Sequence, residues 1–273
     1  MRILVAGGSG FIGRKLISLL HQSSDTIFVY THQQTVNNNL GFNSDIKVLN
    51  TDSEFPDVDV IVNLAGESIA KQGLSEKRLS EILNSRLDTI SLLSDKYSGR
   101  FPAHFIQASA TGIYIDNCQQ DENGDISDSV YAGICKAIER AANELKDKYN
   151  TTVSICRIGV VIGQGGGLVD NLRYLPTLHI IGGNNYIPYL TVDDCTKAMK
   201  LIIQKRIAGI INLCSDQFRT ANQLLKLSSS SKFFTLPVPK FALKFDKRGD
   251  LLLTNQRIIP GTLKENGFVF DHF

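Results

Sequence analysis

Residues 3–20 read ILVAGGSGFIGRKLISLL, and this stretch decides the fold. Ile3 to Ala6 is a short aliphatic run, which is typical of a buried strand. The glycines from Gly7 to Gly13 interrupt the run, and from Phe11 to Leu20 the apolar residues recur at helical spacing. The stretch therefore predicts a strand, a glycine-rich turn and a helix in immediate succession.

The glycines in this turn are spaced as in a phosphate-binding loop. Gly7, Gly10 and Gly13 form the pattern G-x-x-G-x-x-G between the predicted strand and helix. The first glycine permits the tight turn, the second lets a pyrophosphate approach the backbone, and the third lets helix and strand pack closely. The N–H groups of Phe11 and Ile12 at the helix start then face the phosphates. The pattern predicts a dinucleotide site, with a plain glycine turn as the alternative.

Strands and helices alternate through the first 160 residues. Further strands are predicted at 26–30, 46–49, 58–64, 105–109 and 153–158. Long helices are predicted at 75–97 and 131–149, and the polar segment 31–45 is predicted to be a loop. This alternation predicts an α/β fold, a Rossmann-type doubly wound parallel sheet.

The alternation weakens after about residue 160, which suggests a second, smaller unit. Residues 1–160 are expected to form an NAD(P)-binding Rossmann domain, to which the chain returns near 190–215. Residues 161–189 and 216–273 are expected to form a small, partly discontinuous lobe on the substrate side.

The composition argues against several classes of protein. The chain has 29 lysines and arginines against 27 acidic residues, so its charge gives no reason to expect nucleic acid or an anionic membrane as partner. Its five dispersed cysteines fit reduced thiols and predict no metal site. No stretch approaches the roughly 20 apolar residues that span a bilayer, and the N-terminus has no signal-peptide pattern. We expect a cytoplasmic monomer or homodimer with a small-molecule substrate.

The end of the second predicted strand bears on the choice of dinucleotide. NAD-preferring enzymes place an acidic residue there, which binds the ribose 2′-hydroxyl. Thr31 and His32 occupy this position, and neither is acidic. Arg14, directly after the glycine motif, is a candidate partner for a 2′-phosphate, with a solvated surface cation as the alternative. The sequence therefore favours NADP over NAD.

Several segments together resemble the extended short-chain dehydrogenases/reductases. They are AGGSGFIG at 6–13, VIVNLAGES at 60–68 and QASATGIY at 107–114. More narrowly, the chain resembles the epimerase-family proteins, an atypical sugar-nucleotide epimerase-like subgroup with a small C-terminal domain. Further marks of that subgroup are SRLDT at 85–89, RIGVVIGQGGG at 157–167 and GFVF at 267–270. The chain departs from it in having no tryptophan, which relatives carry around the substrate side.

The resemblance implies an NADP-dependent oxidoreductase or epimerase acting on a small hydroxy or keto compound or a nucleotide sugar. It also places Asn63, Leu64, Ala65 and Gly66 against the ribose and adenine side of the cofactor, where a strand-to-loop turn is the alternative. A competing hypothesis is a dinucleotide-binding redox sensor or interaction protein with little or no turnover.

The proton chemistry of this superfamily uses a tyrosine and a lysine four residues later on one helix. Tyr131 is the candidate tyrosine, but position 135 is a cysteine and the lysine is Lys136. Four helical steps return to within about 40° of the start, whereas five end about 140° away. Tyr131 is therefore expected to lack its usual cation, and it is either a catalytic residue or a packing residue, whereas Lys136 is expected at the surface.

Three more polar side chains are candidates for the site. Ser109 and Thr111 lie at the end of the fifth predicted strand, the edge where ligands bind, and are candidate hydroxyls for polarising a substrate oxygen. Tyr114 follows and is a candidate pocket residue. Arg86 is a candidate for holding an anionic substrate group, with an ion pair to Asp88 or Glu81 as the alternative.

Overall fold

A computed structural model describes residues 1–32, 45–67, 75–167, 177–228, 235–243 and 250–271. Strand β1 is Arg2–Ala6, helix α1 is Phe11–His21 and strand β2 is Thr26–Tyr30. The two strands are parallel, with Ala6 paired to Tyr30. The strand, turn and helix predicted from the opening stretch are confirmed.

One sheet of seven strands forms the centre of the fold, and every neighbouring pair in it is parallel. Besides β1 and β2, its strands are β3 Lys47–Leu49, β4 Val60–Asn63, β5 His104–Ala110, β7 Thr152–Ile158 and β11 Gly209–Leu213. The order of the strands across the sheet is β11-β7-β5-β4-β1-β2-β3. The chain builds outward from β1 through β2 to β3, then restarts on the other side at β4. Ligands bind such sheets at this switch point, at the carboxyl ends of the strands.

Helices cover both faces of the sheet. They are α1, α2 Glu76–Lys96, α3 Val130–Tyr149 and α4 Val192–Lys205. Alternate residues of β1 contribute to opposite cores: Ile3 and Val5 join the core with α1 and α4, whereas Leu4 and Ala6 join the core with α2 and α3. This three-layer arrangement confirms the doubly wound α/β fold.

Shorter elements complete the described chain. The strands are β6 Gln119–Gln120, β8 Val160–Ile162, β9 Thr177–Ile181, β10 Tyr189–Thr191, β12 Thr235–Pro239 and β13 Arg257–Ile258. The helices are a 3-10 turn at Thr111–Ile113, α5 Ala221–Ser228, α6 Lys240–Leu243, α7 Asp250–Leu253 and α8 Gly261–Glu265. Part of this region packs around its own buried cluster, which includes Ile180, Tyr189 and Leu224. The division into two lobes at the boundaries given above stays a prediction.

The observed elements differ from the predicted ones mainly at their ends. Ser75, predicted as the first residue of the long helix at 75–97, is the N-cap of α2, and its hydroxyl accepts a hydrogen bond from the Arg78 N–H. Most of the predicted loop 31–45 lies outside the described residues. All five cysteines are free thiols, and four of them are buried. None of the described helices is long and apolar enough to cross a membrane.

Candidate functional site

The glycine turn lies across the carboxyl ends of β1, β2 and β4. The Gly7 N–H donates to the Tyr30 carbonyl at the end of β2. Gly7 has a φ of +79°, and a Cβ there would lie 2.7 Å from the backbone nitrogen of Ala65. Glycine is required at this position by both conformation and space. The turn therefore contacts the segment that follows β4.

Gly10 is the N-cap of α1 and, as a glycine, has no side chain to cap the helix start. A Cβ on Gly10 would have one neighbour within 4 Å among the described residues, the Gly7 carbonyl oxygen at 3.2 Å. By contrast, a Cβ on Gly13 would lie 2.5 Å from that same oxygen, so Gly13 serves the close packing of helix on strand. The first N–H groups of a helix have no acceptor within it. The turn thus presents donors, at Phe11 and Ile12, to a space beside Gly10 that an anion can enter.

A second glycine segment packs on the ring of Phe11. A Cβ on Gly166 would lie 2.7 Å from Cδ2 of Phe11, and one on Gly167 would lie 3.2 Å from its Cε1. Gly163 also borders this ring. The sequence identified RIGVVIGQGGG only as a family mark. The structure shows that its glycines fit against the start of α1, while Ile12 packs toward the core.

At the end of β2, Thr31 is buried and its N–H donates to the Leu49 carbonyl. The ring of His32 lies between the Tyr30 hydroxyl, 3.1 Å from Nδ1, and Oγ1 of Thr89, 3.2 Å from Nε2. The Thr89 hydroxyl donates its only hydrogen to the Ser85 carbonyl, so it accepts from Nε2. The neutral ring is therefore the Nε2–H tautomer, with Nδ1 accepting from Tyr30.

Arg14 is exposed, and its Nε donates to the Ser9 carbonyl at 2.8 Å. This bond ties the side chain to the outer side of the glycine turn. The guanidinium keeps its other donors for a solvent-side anion. The structure thus places Arg14 at the turn itself, and its pairing with a 2′-phosphate stays a prediction.

The end of β4 is a buried hydrogen-bonded turn. The Asn63 amide donates to Oε1 of Gln107 at 2.8 Å and accepts from the Ala65 N–H at 3.2 Å. The Leu64 N–H donates to the Ala6 carbonyl, and Gly66 follows with a φ of +153°. Asn63 thus orders the turn whose backbone touches Gly7.

Ser109 belongs to a buried polar network that the sequence did not reveal. Its hydroxyl donates to Oε1 of Glu139 at 2.6 Å. Arg157 binds both oxygens of the same carboxylate, at 3.0 and 2.8 Å. The available signal was Arg157, a charged residue within the apolar strand β7, whereas Glu139 is one of several charged residues on α3. Because its proton is directed to a carboxylate, Ser109 is not available as a donor to a substrate oxygen in this arrangement.

Thr111 and Tyr114 flank the 3-10 turn after β5. Thr111 is buried, and its hydroxyl makes no hydrogen bond to the part of the chain that the structure describes. Tyr114 is 1% exposed, and its hydroxyl donates to Asn212 at 2.8 Å. The Arg157 guanidinium lies 4.8 Å from the Tyr114 ring centroid. Burial raises the pKa of Tyr114. Tyr114 therefore packs in the core, and direct contact with a substrate stays a prediction.

Tyr131 lies in the first turn of α3, where Ser129 caps the helix through the Ala132 N–H. Cys135, one turn later, is buried, and burial raises the pKa of its thiol. Lys136 is exposed and pairs with Asp128 at 3.3 Å, on the surface to which the helical spacing assigned it. α3 therefore offers no cation beside Tyr131 at the position four residues on.

Arg86 lies on α2 and folds over the turn that ends β4. Its Nη1 donates to the carbonyls of Glu67 and Ile82, at 3.1 and 2.9 Å. The alternative predicted from the sequence, an ion pair with Asp88 or Glu81, is wrong. Glu81 is instead held by Arg78, which also binds Glu67. Arg86 thus binds backbone carbonyl groups rather than an acidic side chain.

Comparisons with known proteins agree on the family. Epimerase family protein Mb2239 of Mycobacterium bovis is 27% identical over 287 residues, covering 99% of this chain and 93% of the relative. Epimerase family protein YfhF of Bacillus subtilis is 25% identical, covering 100% and 94%. Mouse epimerase family protein SDR39U1 is also 25% identical, covering 99% and 95%.

Solved structures share the fold. Human epimerase family protein SDR39U1 (isoform 2), crystallised with NADPH, superposes with a TM-score of 0.84 at 23% identity, covering 99% of this chain and 95% of that one. The UDP-glucose 4-epimerase of Thermus thermophilus, in complex with NAD, gives 0.79 at 18% identity, covering 100% and 95%. The sequence model of the NAD dependent epimerase/dehydratase family matches residues 3–214. The chain belongs to the NAD dependent epimerase/dehydratase family.

Proposed function

We propose that this protein binds NADP at the switch point of the sheet and acts as an oxidoreductase or epimerase on a small hydroxy or keto compound or a nucleotide sugar. The observation that carries the proposal is the space beside Gly10. There, a glycine caps the start of α1, and among the described residues a Cβ would meet only the Gly7 carbonyl within 4 Å. This cradle fits a pyrophosphate, which would accept from the N–H groups of Phe11, Ile12 and Gly13.

The choice of NADP rests on the charges around the end of β2. Thr31 and His32 offer no carboxylate to repel a 2′-phosphate, and Arg14 is tied to the glycine turn nearby. The NADPH in the structure of human SDR39U1 supports this choice, whereas the NAD in the Thermus epimerase does not. Asn63, Leu64, Ala65 and Gly66 would line the cofactor beyond the cradle, because their turn touches Gly7.

A bound nicotinamide would supply hydride transfer, and the chain itself would have to supply the proton and orient the substrate oxygen. Thr111 has a hydroxyl without a partner in the described chain and can donate to a substrate oxygen. The Ser109 hydroxyl instead donates its hydrogen bond to the Glu139 carboxylate. Tyr131 is the proton carrier in this proposal, and Thr111 is the residue that polarises the substrate.

A second function, dinucleotide binding with little or no turnover, is favoured by one observation. The position four residues after Tyr131 holds a buried cysteine, and Lys136 is engaged with Asp128 at the surface. The tyrosine–lysine pair with a spacing of four residues, which carries the proton chemistry in this superfamily, is therefore not present on α3.

Turnover separates the two functions. Purified protein would be given NADPH with a panel of small carbonyl compounds, and catalytic NADP⁺ with nucleotide sugars, and product would be followed by chromatography. If the protein is an enzyme, at least one compound should give product, and Tyr131→Phe should lose most of that turnover. The control variant Tyr149→Phe should keep it. If the wild-type protein binds NADPH but turns over none of these compounds, the result would favour dinucleotide binding without catalysis.

A further inference from the structure

The Arg86 side chain sits at the crevice of the sheet rather than at the protein surface. If Gly66 carried a Cβ, that atom would lie 2.7 Å from Cζ of Arg86. Gly66 is in the turn after β4, whose neighbour Ala65 touches the glycine loop at Gly7. The guanidinium therefore covers the same turn that borders the proposed dinucleotide site.

Helix α2, which carries Arg86, packs against α3. The Arg86 guanidinium lies within electrostatic range of Cys135, a buried residue of α3. Cys135 lies one helical turn after Tyr131, and residues four apart share one face of a helix. Arg86 is thus within electrostatic range of the face of α3 that carries Tyr131, although it belongs to α2.

Arg86 has donors to spare. Only Nη1 is engaged, with the Glu67 and Ile82 carbonyls, and Nε and Nη2 form no hydrogen bond to the part of the chain that the structure describes. Its side chain makes no ion pair within those described residues either. Burial lowers the pKa of Arg86, so its charge is incompletely stabilised by the chain itself. A ligand with hydroxyl or anionic groups would supply the missing acceptors.

We infer that Arg86 is a cofactor-binding residue that supplies from α2 the cation which α3 lacks at position 135. Its free donors bind the ribose hydroxyls at the nicotinamide end of the dinucleotide, beside Tyr131. This inference rests on the proposed function. It differs from the sequence-based expectation that Arg86 holds an anionic group of the substrate, because it requires an effect on cofactor binding when no substrate is present.

Moving the charge between the two helices tests the inference. The variants are Arg86→Gln, Arg86→Lys, Cys135→Lys and the double variant Arg86→Gln/Cys135→Lys. Arg78→Gln is the matched control, because Arg78 lies on the same helix and holds the same loop through Glu67. NADPH affinity would be measured by titration calorimetry without substrate, and the melting temperature of each variant would be recorded.

We expect Arg86→Gln to weaken NADPH binding about tenfold, as loss of a charged hydrogen bond does. Arg78→Gln should change the affinity about twofold or less, and the double variant should regain most of the loss. Without cofactor, Cys135→Lys should lower the melting temperature more in the presence of Arg86 than in the Arg86→Gln background, because two like charges then meet.

Two patterns of NADPH affinity would contradict the inference. Wild-type affinity in Arg86→Gln overturns it, as does an equal loss in Arg78→Gln and Arg86→Gln that Cys135→Lys does not restore. The second pattern would mean that Arg86 only orders the loop. If wild type itself binds no NADPH, the proposed function fails, and the inference fails with it.

Discussion

The Ser109 hydroxyl donates a 2.6 Å hydrogen bond to the Glu139 carboxylate, which is also paired with Arg157. This bond distinguishes Ser109 from Thr111, the two candidate hydroxyl residues predicted from the sequence at the end of β5. Ser109 uses its proton to join β5 to α3, whereas the Thr111 hydroxyl makes no hydrogen bond to the described residues.

Thr111→Val is therefore expected to lower turnover more than Ser109→Ala. Loss of a hydroxyl that polarises the substrate reduces kcat by about a hundredfold, as loss of one preorganised donor does. Ser109→Ala should instead lower the free energy of unfolding by about 1.5–3 kcal/mol, as loss of a hydrogen bond to a charged group does. Steady-state kinetics and urea unfolding of both variants would check this. A larger kinetic defect in Ser109→Ala than in Thr111→Val would show that Ser109 acts on substrate.

Glu139→Gln is expected to be strongly destabilising. It leaves the buried Arg157 charge, 3% exposed, without its counter-ion, and breaking such a pair costs about 3–5 kcal/mol. Asp128→Asn is the control, because it breaks the exposed pair with Lys136 on the same helix and should change stability by at most about 1 kcal/mol. Urea unfolding measures both, and similar small losses would contradict a buried network.

The buried side chain of His104 is expected to make the free energy of unfolding depend on pH. Burial lowers its pKa from the ordinary 6.5 to about 4. Its Nε2 donates to Ser154, whose hydroxyl donates to the Ile207 carbonyl. Nδ1 has no hydrogen-bond partner among the described residues, so a second proton would be buried without an acceptor. The unfolded state therefore takes up this proton at a higher pH than the folded state does.

The sign of the effect follows. Below pH 6.5 the unfolded chain binds more protons at this residue, so stability falls as the pH falls from 6.5 to 4 and is fully present above 6.5. The contribution of this group is at most about 3 kcal/mol. Unfolding between pH 4 and 8 would be compared for wild type, His104→Gln and the exposed control His179→Gln. An equally steep slope in His104→Gln would contradict the assignment.

Arg14→Gln tests the choice between the two dinucleotides. If Arg14 pairs with the 2′-phosphate, the variant should bind NADPH about tenfold more weakly and NADH unchanged, since only NADPH carries that group. Lys15→Gln, next along the helix and paired with Asp193, is the control. Parallel loss of both dinucleotides in Arg14→Gln would mean that Arg14 supports the turn through Ser9 and does not select the phosphate.

Local patterns in the sequence predicted the central fold because each of its elements has a strong local signal. The strand, turn and helix of residues 3–20 and the apolar strand at 58–64 both lie in the sheet as expected. The short strands β8 to β10 have no such signal, because three to five residues beside glycine and proline carry too little periodicity. They form only where other segments pair with them.

The candidate site was less accessible to sequence reasoning. The helical spacing correctly assigned Lys136 to the surface, since that needs only the geometry of α3. The partners of Ser109 and Arg86 come from other elements, with 30 residues separating Ser109 from Glu139 and 19 separating Arg86 from Glu67. No local pattern encodes such contacts. The packing of Phe11 on Gly166 was hidden for the same reason.

Titration of NADPH into wild type and Gly10→Ala tests the central claim most directly. Gly10 has a φ of −74°, which any residue adopts, and an added methyl group would obstruct the cradle while lying 3.2 Å from the Gly7 carbonyl oxygen, so the turn has to shift by a few tenths of an ångström. Gly133→Ala, on the exposed side of α3, is the control. We predict that wild type and Gly133→Ala bind NADPH and that Gly10→Ala melts close to wild type but binds at least about tenfold more weakly. Absence of binding by wild type, or undiminished binding by Gly10→Ala, would contradict a dinucleotide site at this turn.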